Sequence, residues 1–274
     1  MVDDHSSDRT AEFIYQLDIP NLKLVQLSAS QTGKKAAIAE GISKASGTLI
    51  ITTDADCEMG EKWLPSIVSF YDTYKPKMII APVLTKEGKN FQQSMQVQEL
   101  MALTACACGS VYYNLPILCS GANLAYEKDA FLSVNAFDGV DKTATGDDVF
   151  LMIKFHQQFS NEIRYIKSKE AVVFTHPEGS PAEALNQRKR WASKNLSYGF
   201  NHVTWVAAFI FFTNFLIFLS GIMSVINSKF ALIFLLDKIC DCIFFILEYV
   251  HLFFSVHTGF FKYIYFAVFP VKTR

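Results

Sequence analysis

Charge is scarce in this chain. Of 274 residues only 19% are Asp, Glu, Lys or Arg, and the formal net charge is −1. No global field therefore draws it to nucleic acid, and no nucleic-acid partner is expected. Cysteine is thin and scattered. Cys57, Cys106, Cys108, Cys119, Cys240 and Cys242 include no CxxC pair, and no histidine cluster accompanies them. That pattern argues against zinc and against a disulfide framework, and it suits a reducing compartment. The opening MVDDHSSDRT is acidic and polar and does not read as a signal peptide.

What the chain has instead is apolar residues. They make up 51% of it, with 25 Phe, and most of the excess lies after residue 202. Before that point, strand-like and helix-like stretches alternate. Leu22 to Leu27, Thr48 to Thr53 and Met78 to Leu84 read as strands, and Gly33 to Ala45, Glu61 to Tyr74 and Phe91 to Tyr113 as helices. Such alternation predicts an α/β domain with a mostly parallel sheet and helices on both faces. In such sheets ligands bind beyond the carboxyl ends of the strands. Asp54 and Asp56 fall at such an end, after the apolar run Thr48 to Thr53.

Further along, LPILCSGANLAY places Gly121 and Asn123 in a turn between two extended pieces. Asp147 and Asp148 open a helix, where negative charge is favourable. In SPAEALNQRKRW, Ser180 is a good N-cap, Pro181 suits the first helical position, and Glu183 completes a capping box. On that helix Gln187, Arg190 and Trp191 share one face.

After residue 200 the composition changes, and a second region, 201–274, is expected to be transmembrane or interfacial. Val203 to Ile226 carries no charge and exceeds the roughly 20 residues that span a bilayer. Phe230 to Phe254 is apolar but interrupted by Asp237, Lys238, Asp241 and Glu248, which suits an interfacial helix. Arg188, Lys189, Arg190 and Lys194 precede the first span. By the positive-inside rule the domain of residues 1–200 lies in the cytoplasm, at the cell membrane.

Taken singly, each polar motif has a plain structural reading. Asp-x-Asp caps many turns, Asp147-Asp148 caps a helix, and Arg190-Trp191 stacks or anchors at a membrane. Their order along the chain is more informative. VDDHSSD, TGKKAAIAEGISKASG, TDAD, CSGANLAY, TGDDVFL and QRKRW follow one another and precede a membrane segment. This series resembles the membrane-bound, QxxRW-containing members of the family 2 glycosyltransferases, relatives of the cellulose and hyaluronan synthases. The likeness covers residues 2 to about 200 well.

The resemblance implies a GT-A, Rossmann-like fold followed by C-terminal membrane helices. It implies inverting transfer of a sugar from a nucleotide-diphosphate donor, a UDP- or GDP-sugar, to a hydroxyl of a glycan or lipid-linked acceptor. Asp56 would hold Mg²⁺ or Mn²⁺, and Asp54 would help with the metal or the ribose. Asp3 and Asp4 would meet the nucleotide base and ribose. Lys34 would reach the nucleotide, although TGKK reads equally well as an exposed helix start. Asp148 would be the general base, with Asp147 beside it. Arg190 would pair with the diphosphate, Gln187 would add a hydrogen bond to the nucleotide-sugar, and Trp191 would offer a flat surface to a sugar ring or the acceptor. Gly121 and Asn123 would meet the acceptor. The chemistry suits these residue types: a divalent cation offsets charge on a departing diphosphate, a carboxylate takes the hydroxyl proton, and an Arg fork matches phosphate.

Two departures accompany the likeness. Relatives carry an apolar strand and helix before the VDD motif and further membrane segments after residue 274, so the chain is expected to be truncated at its N-terminus, with C-terminal truncation left open. His5 stands where a glycine is common. His156, His176, His251 and His257 show no metal spacing and read as structural. With one clear span, single sugar additions are favoured. A processive polysaccharide synthase fragment and a non-catalytic membrane protein with a degraded nucleotide-binding domain are the competing readings.

Overall fold

The computed structural model describes residues 1–135, 147–195 and 201–226, apart from the side chains of residues 147, 192–195 and 224–226. The expected interfacial segment Phe230 to Phe254 lies outside them. The chain divides into two compact units, Met1–Val206 and Ala207–Arg274.

In the first unit the strands are β1 (Val2–Asp3), β2 (Val25–Gln26), β3 (Leu49–Thr52), β4 (Glu58–Met59), β5 (Met78–Ile80), β6 (Val83–Thr85), β7 (Leu124–Glu127), β8 (Ile163–Tyr165) and β9 (Val173–Thr175). Helices α1 (Thr10–Gln16), α2 (Lys34–Lys44), α3 (Trp63–Tyr74), α4 (Phe91–Tyr112), α5 (Lys128–Ser133), α6 (Asp147–Gln158) and α7 (Pro181–Asn195) run between and after them. Helix α8 (His202–Ile226) begins in this unit and continues into the second.

The middle sheet has the order β3-β7-β5-β8. Its alternating side chains make two cores. Met78, Ile80, Leu124 and Tyr126 pack with Phe131, Met152 and Phe155 on one face. Ile79, Ala81 and Ala125 pack with Ile67 and Ala171 on the other. Helices therefore cover both faces, as expected.

The expectation of a mostly parallel sheet needs correction. The pairs β1–β2, β5–β8 and β6–β9 are parallel, whereas β3–β7, β5–β7 and β4–β9 are antiparallel. The cause is β7, which runs between β3 and β5 in the opposite sense, so each of its apolar residues faces two reversed neighbours.

A second correction concerns Met78 to Leu84. Pro82, which has no N–H to give a ladder, divides it into β5 and β6, which join different sheets. Pro82 still serves as an acceptor, for Val173 N–H at 3.1 Å.

Local signals place the helix ends. Asn90 caps α4 by accepting Gln93 N–H at 2.9 Å. The capping box of α7 is present in both directions: Glu183 N–H to Ser180 Oγ at 3.3 Å and Ser180 N–H to Glu183 Oε2 at 2.9 Å. Helix α3 ends on Lys75 in the left-handed region, with Pro76 next.

Candidate functional site

The end of β3 opens into a cavity of about 330 Å³ lined by residues from distant parts of the chain. Thr52 fixes this end, donating its hydroxyl to Gly121 O at 2.9 Å. Asp54 and Asp56 follow and both line the cavity. Asp54 Oδ1 accepts from Lys34 Nζ at 2.9 Å, and Lys34 also lines it. This is a partly exposed pair and carries little stability by itself. Its effect is positional: it fixes one oxygen of Asp54 while Asp56 stays exposed.

Lys34 is held in turn by its neighbour. Gly33 has φ 91°, a conformation that a β-carbon disfavours, and its N–H donates to Asp4 Oδ2 at 2.8 Å. Asp4 thus seats the start of α2. Asp3 is buried, and its Oδ1 accepts Ser6 N–H at 3.3 Å. Neither Asp3 nor Asp4 lines the cavity. His5, where a glycine was expected, does adopt a glycine-like φ of 57°, and its ring bonds Gln31 O at 2.9 Å.

Asp148, at the start of α6 and half-buried, lines the same cavity. Its Oδ2 accepts Gly121 N–H at 3.0 Å and its Oδ1 accepts Val149 N–H at 2.9 Å. Two backbone donors orient the carboxylate, and an ionised carboxylate offers about four lone-pair sites, so acceptor capacity remains. Asp147 opens α6; its side chain lies outside the described residues.

From α7, Gln187, Arg190 and Trp191 all line the cavity, as their helical spacing predicts. The next residue round, Arg188, turns to Glu99 on α4, with Nε to Oε1 at 3.2 Å and a closer contact through Nη2.

Asn123 was expected to meet an acceptor, and the structure contradicts this. It has no exposed surface. Its Nδ2 donates to Pro82 O and Ala171 O, each at 2.8 Å, and its Oδ1 accepts Trp63 Nε1–H at 3.0 Å. Every polar atom is used inside the domain, which satisfies a buried amide and leaves none for a ligand. Gly121 does line the cavity.

His176 had been read as structural, yet it lines the cavity and its Nε2–H donates to Glu58 Oε1 at 3.0 Å. Glu58 also accepts from Lys86, and that bond, with His176 second, holds its carboxyl below the usual range. Gln96, Glu99 and Glu178 are further wall residues that no motif had marked. Cys57 lines the cavity too, and burial, then the charges of Asp56 and Asp54, push its thiol up, away from the thiolate that reacts.

Among the described residues no group of three or more His, Cys, Asp and Glu could hold a metal by itself. What the cavity offers is Asp54 and Asp56, hard oxygen donors, one of them shared with Lys34. That set fits a cation such as Mg²⁺ or Mn²⁺ that takes its remaining ligands from substrate phosphates and water.

Solved structures similar to the chain include S. aureus TarS 1-349 in complex with UDP-GlcNAc, at 17% identity and a TM-score of 0.46. That alignment covers 67% of this chain and 50% of TarS 1-349, so the chain spans about half of that protein's length. Another is glucosyl-3-phosphoglycerate synthase from Mycobacterium tuberculosis with Mn²⁺, UDP-glucose and phosphoglyceric acid, at 17% identity and a TM-score of 0.46. It covers 73% of this chain and 68% of that one. Comparison with curated proteins finds no match. The family model of glycosyl transferase family 2 matches residues 1–131, and this stretch of the chain is similar to that family.

Proposed function

We propose that the chain transfers a sugar from a UDP- or GDP-sugar to a hydroxyl of a glycan or lipid-linked acceptor at a membrane, with inversion at the anomeric carbon. One observation carries this reading. Asp54, Asp56, Asp148, Gln187, Arg190 and Trp191, drawn from three separate segments, line a single cavity.

The roles follow from chemistry. The acceptor oxygen attacks the anomeric carbon from the side opposite the diphosphate. A new carbon–oxygen bond forms as the bond to the phosphate oxygen breaks, and that electron pair leaves with the nucleoside diphosphate. The hydroxyl proton passes to Asp148, whose carboxylate Gly121 N–H orients. Positive charge accumulates on the sugar ring in the transition state. Arg190 answers the charge of the leaving diphosphate. Trp191 offers a flat apolar surface to a sugar ring. Asp56, with Asp54, would hold a divalent cation, which when bound supplies further charge neutralisation at the leaving oxygens. Asp4 acts at one remove: it sets the start of α2, and so the Lys34 that meets Asp54.

The membrane context rests on α8. His202–Met223 is a 22-residue apolar segment of mean hydropathy 2.2. A helix of this length suits one span, and one such span among the described residues favours single sugar additions.

The test is turnover of a panel of UDP- and GDP-sugars by the full chain in detergent or vesicles, with Mg²⁺ or Mn²⁺. Asp148→Asn is expected to lower turnover about a hundredfold or more, the usual scale for a lost general base. Asp56→Ala is expected to lower it and to raise the metal concentration needed. Wild-type rates in both variants, or no turnover of any donor by the wild type, overturn the reading.

A further inference from the structure

Gln96 lies on α4 and is 7% exposed, a buried polar side chain at the edge of the cavity. Both ends of its carboxamide are engaged by one residue. Its Oε1 accepts Glu178 N–H at 2.9 Å, and its Nε2 donates to Glu178 O at 3.3 Å. A buried amide that pairs with both backbone groups of one residue fixes that residue as a strand ladder would. Glu178 closes the loop after β9, the loop that brings His176 and Pro177 to the cavity wall. Its side chain continues the connection, because Glu178 Oε1 accepts Gln187 Nε2–H at 2.8 Å. Gln187 shares a helix face with Arg190 and Trp191, so α4, the loop and α7 are joined by one line of hydrogen bonds.

We propose that Gln96 and Glu178 are positioning residues for the sugar-transfer site. Gln96 sets the loop at 175–178, and Glu178, through Gln187, sets the face of α7 that presents Arg190 and Trp191. The proposal rests on the glycosyltransferase reading for its purpose, though not for its geometry. It also gives Gln187 a positioning role: one of its two amide N–H groups is donated to Glu178, and through that bond its neighbours on the helix are set.

Amide hydrogen exchange of the full chain reads the geometry without any substrate. Gln96→Met keeps the side-chain length and removes both bonds. It is expected to speed exchange about tenfold in peptides covering 175–178 and also in those covering 184–191 of α7, with the middle sheet unchanged. Glu178→Ala is expected to speed exchange in α7 alone. Glu178→Gln still offers an acceptor oxygen to Gln187, and exchange should stay within about twofold of wild type. Exchange that rises across the whole domain, an α7 unmoved by Gln96→Met, or a Glu178→Gln chain that behaves like Glu178→Ala would each overturn the proposal. A Gln96→Met chain that fails to fold leaves the Glu178 pair of variants to decide it. Turnover supplies a second arm. Gln96→Met with Gln187→Met should lose no more kcat/KM than the worse single variant, since one line of bonds is broken once; losses that multiply overturn it. A wild type inactive with every donor defeats the sugar-transfer reading, and exchange still decides the connection.

Discussion

Asn123 is a residue whose environment leaves it no freedom. Three hydrogen bonds join it to α3, to the Pro82 bend and to the short turn at Ala171, and it has no exposed surface. Removing the amide strands the buried Ala171 carbonyl and the half-buried Trp63 indole N–H, and leaves Pro82 O with Val173 N–H alone; the desolvation cost of the stranded groups is then uncompensated. Asn123→Ala is therefore expected to cost about 3 kcal/mol, read as a shift of the urea midpoint with an unchanged slope. A change below about 0.5 kcal/mol would mean that the amide is replaceable by water. Its neighbour Gly121 has the opposite character, with its N–H turned to Asp148 at the cavity. The string SGAN gives both residues as a polar turn. Which of them faces in and which faces the site depends on where α3 and α6 pack, and no local pattern encodes that. His176 and Gln96 were illegible for the same reason: a lone polar residue in a loop or on a helix carries no mark of its partner across the fold.

At the scale of elements, local chemistry was readable and pairing was not. The capping box of α7, the face that holds Gln187, Arg190 and Trp191, and the strand that ends in Asp54 all follow from spacing within a dozen residues. The reversed β7 does not, because strand order is settled by contacts between residues more than 40 apart. The break at Pro82 is legible, since a residue without an N–H cannot continue a ladder. Contacts between helices hold a pair of histidines as well. His156 on α6 and His202 on α8 have ring centroids 5.1 Å apart, and His156 Nδ1 is buried with no hydrogen-bond partner among the described residues. Burial, then the charge of His202, depresses the His156 pKa below its ordinary 6.5. The unfolded chain then binds more protons than the native one as pH falls through the ordinary value, so stability drops there. The thermal midpoint of the full chain should fall between pH 7.5 and pH 5.5, and in His156→Gln that fall should be about half as large. Equal falls in the two proteins would show that His156 does not titrate between the folded and unfolded states.

For the whole molecule the question is how a chain with 51% hydrophobic residues stays in solution. The uneven distribution suggests that it does not have to. Phe209, Phe211, Phe212, Phe215, Leu216 and Phe218 on α8 are all exposed, a contiguous apolar surface of the kind water tolerates poorly. A helix of 22 residues is about 33 Å long, against a hydrocarbon thickness of about 30 Å. Burying that surface in lipid satisfies the apolar side chains, while the helix satisfies its own backbone. The full chain is expected to sediment with membranes and to remain there through alkaline extraction. Arginine at the middle of a span costs about 3 kcal/mol, so Phe212→Arg combined with Leu216→Arg opposes insertion by about 6 kcal/mol. The double variant should appear in the soluble or aggregated fraction, and Phe212→Leu with Leu216→Ile should remain in the membrane. A wild-type chain released by alkaline extraction would place α8 against protein instead of lipid, and the acceptor would then have to reach the cavity from water.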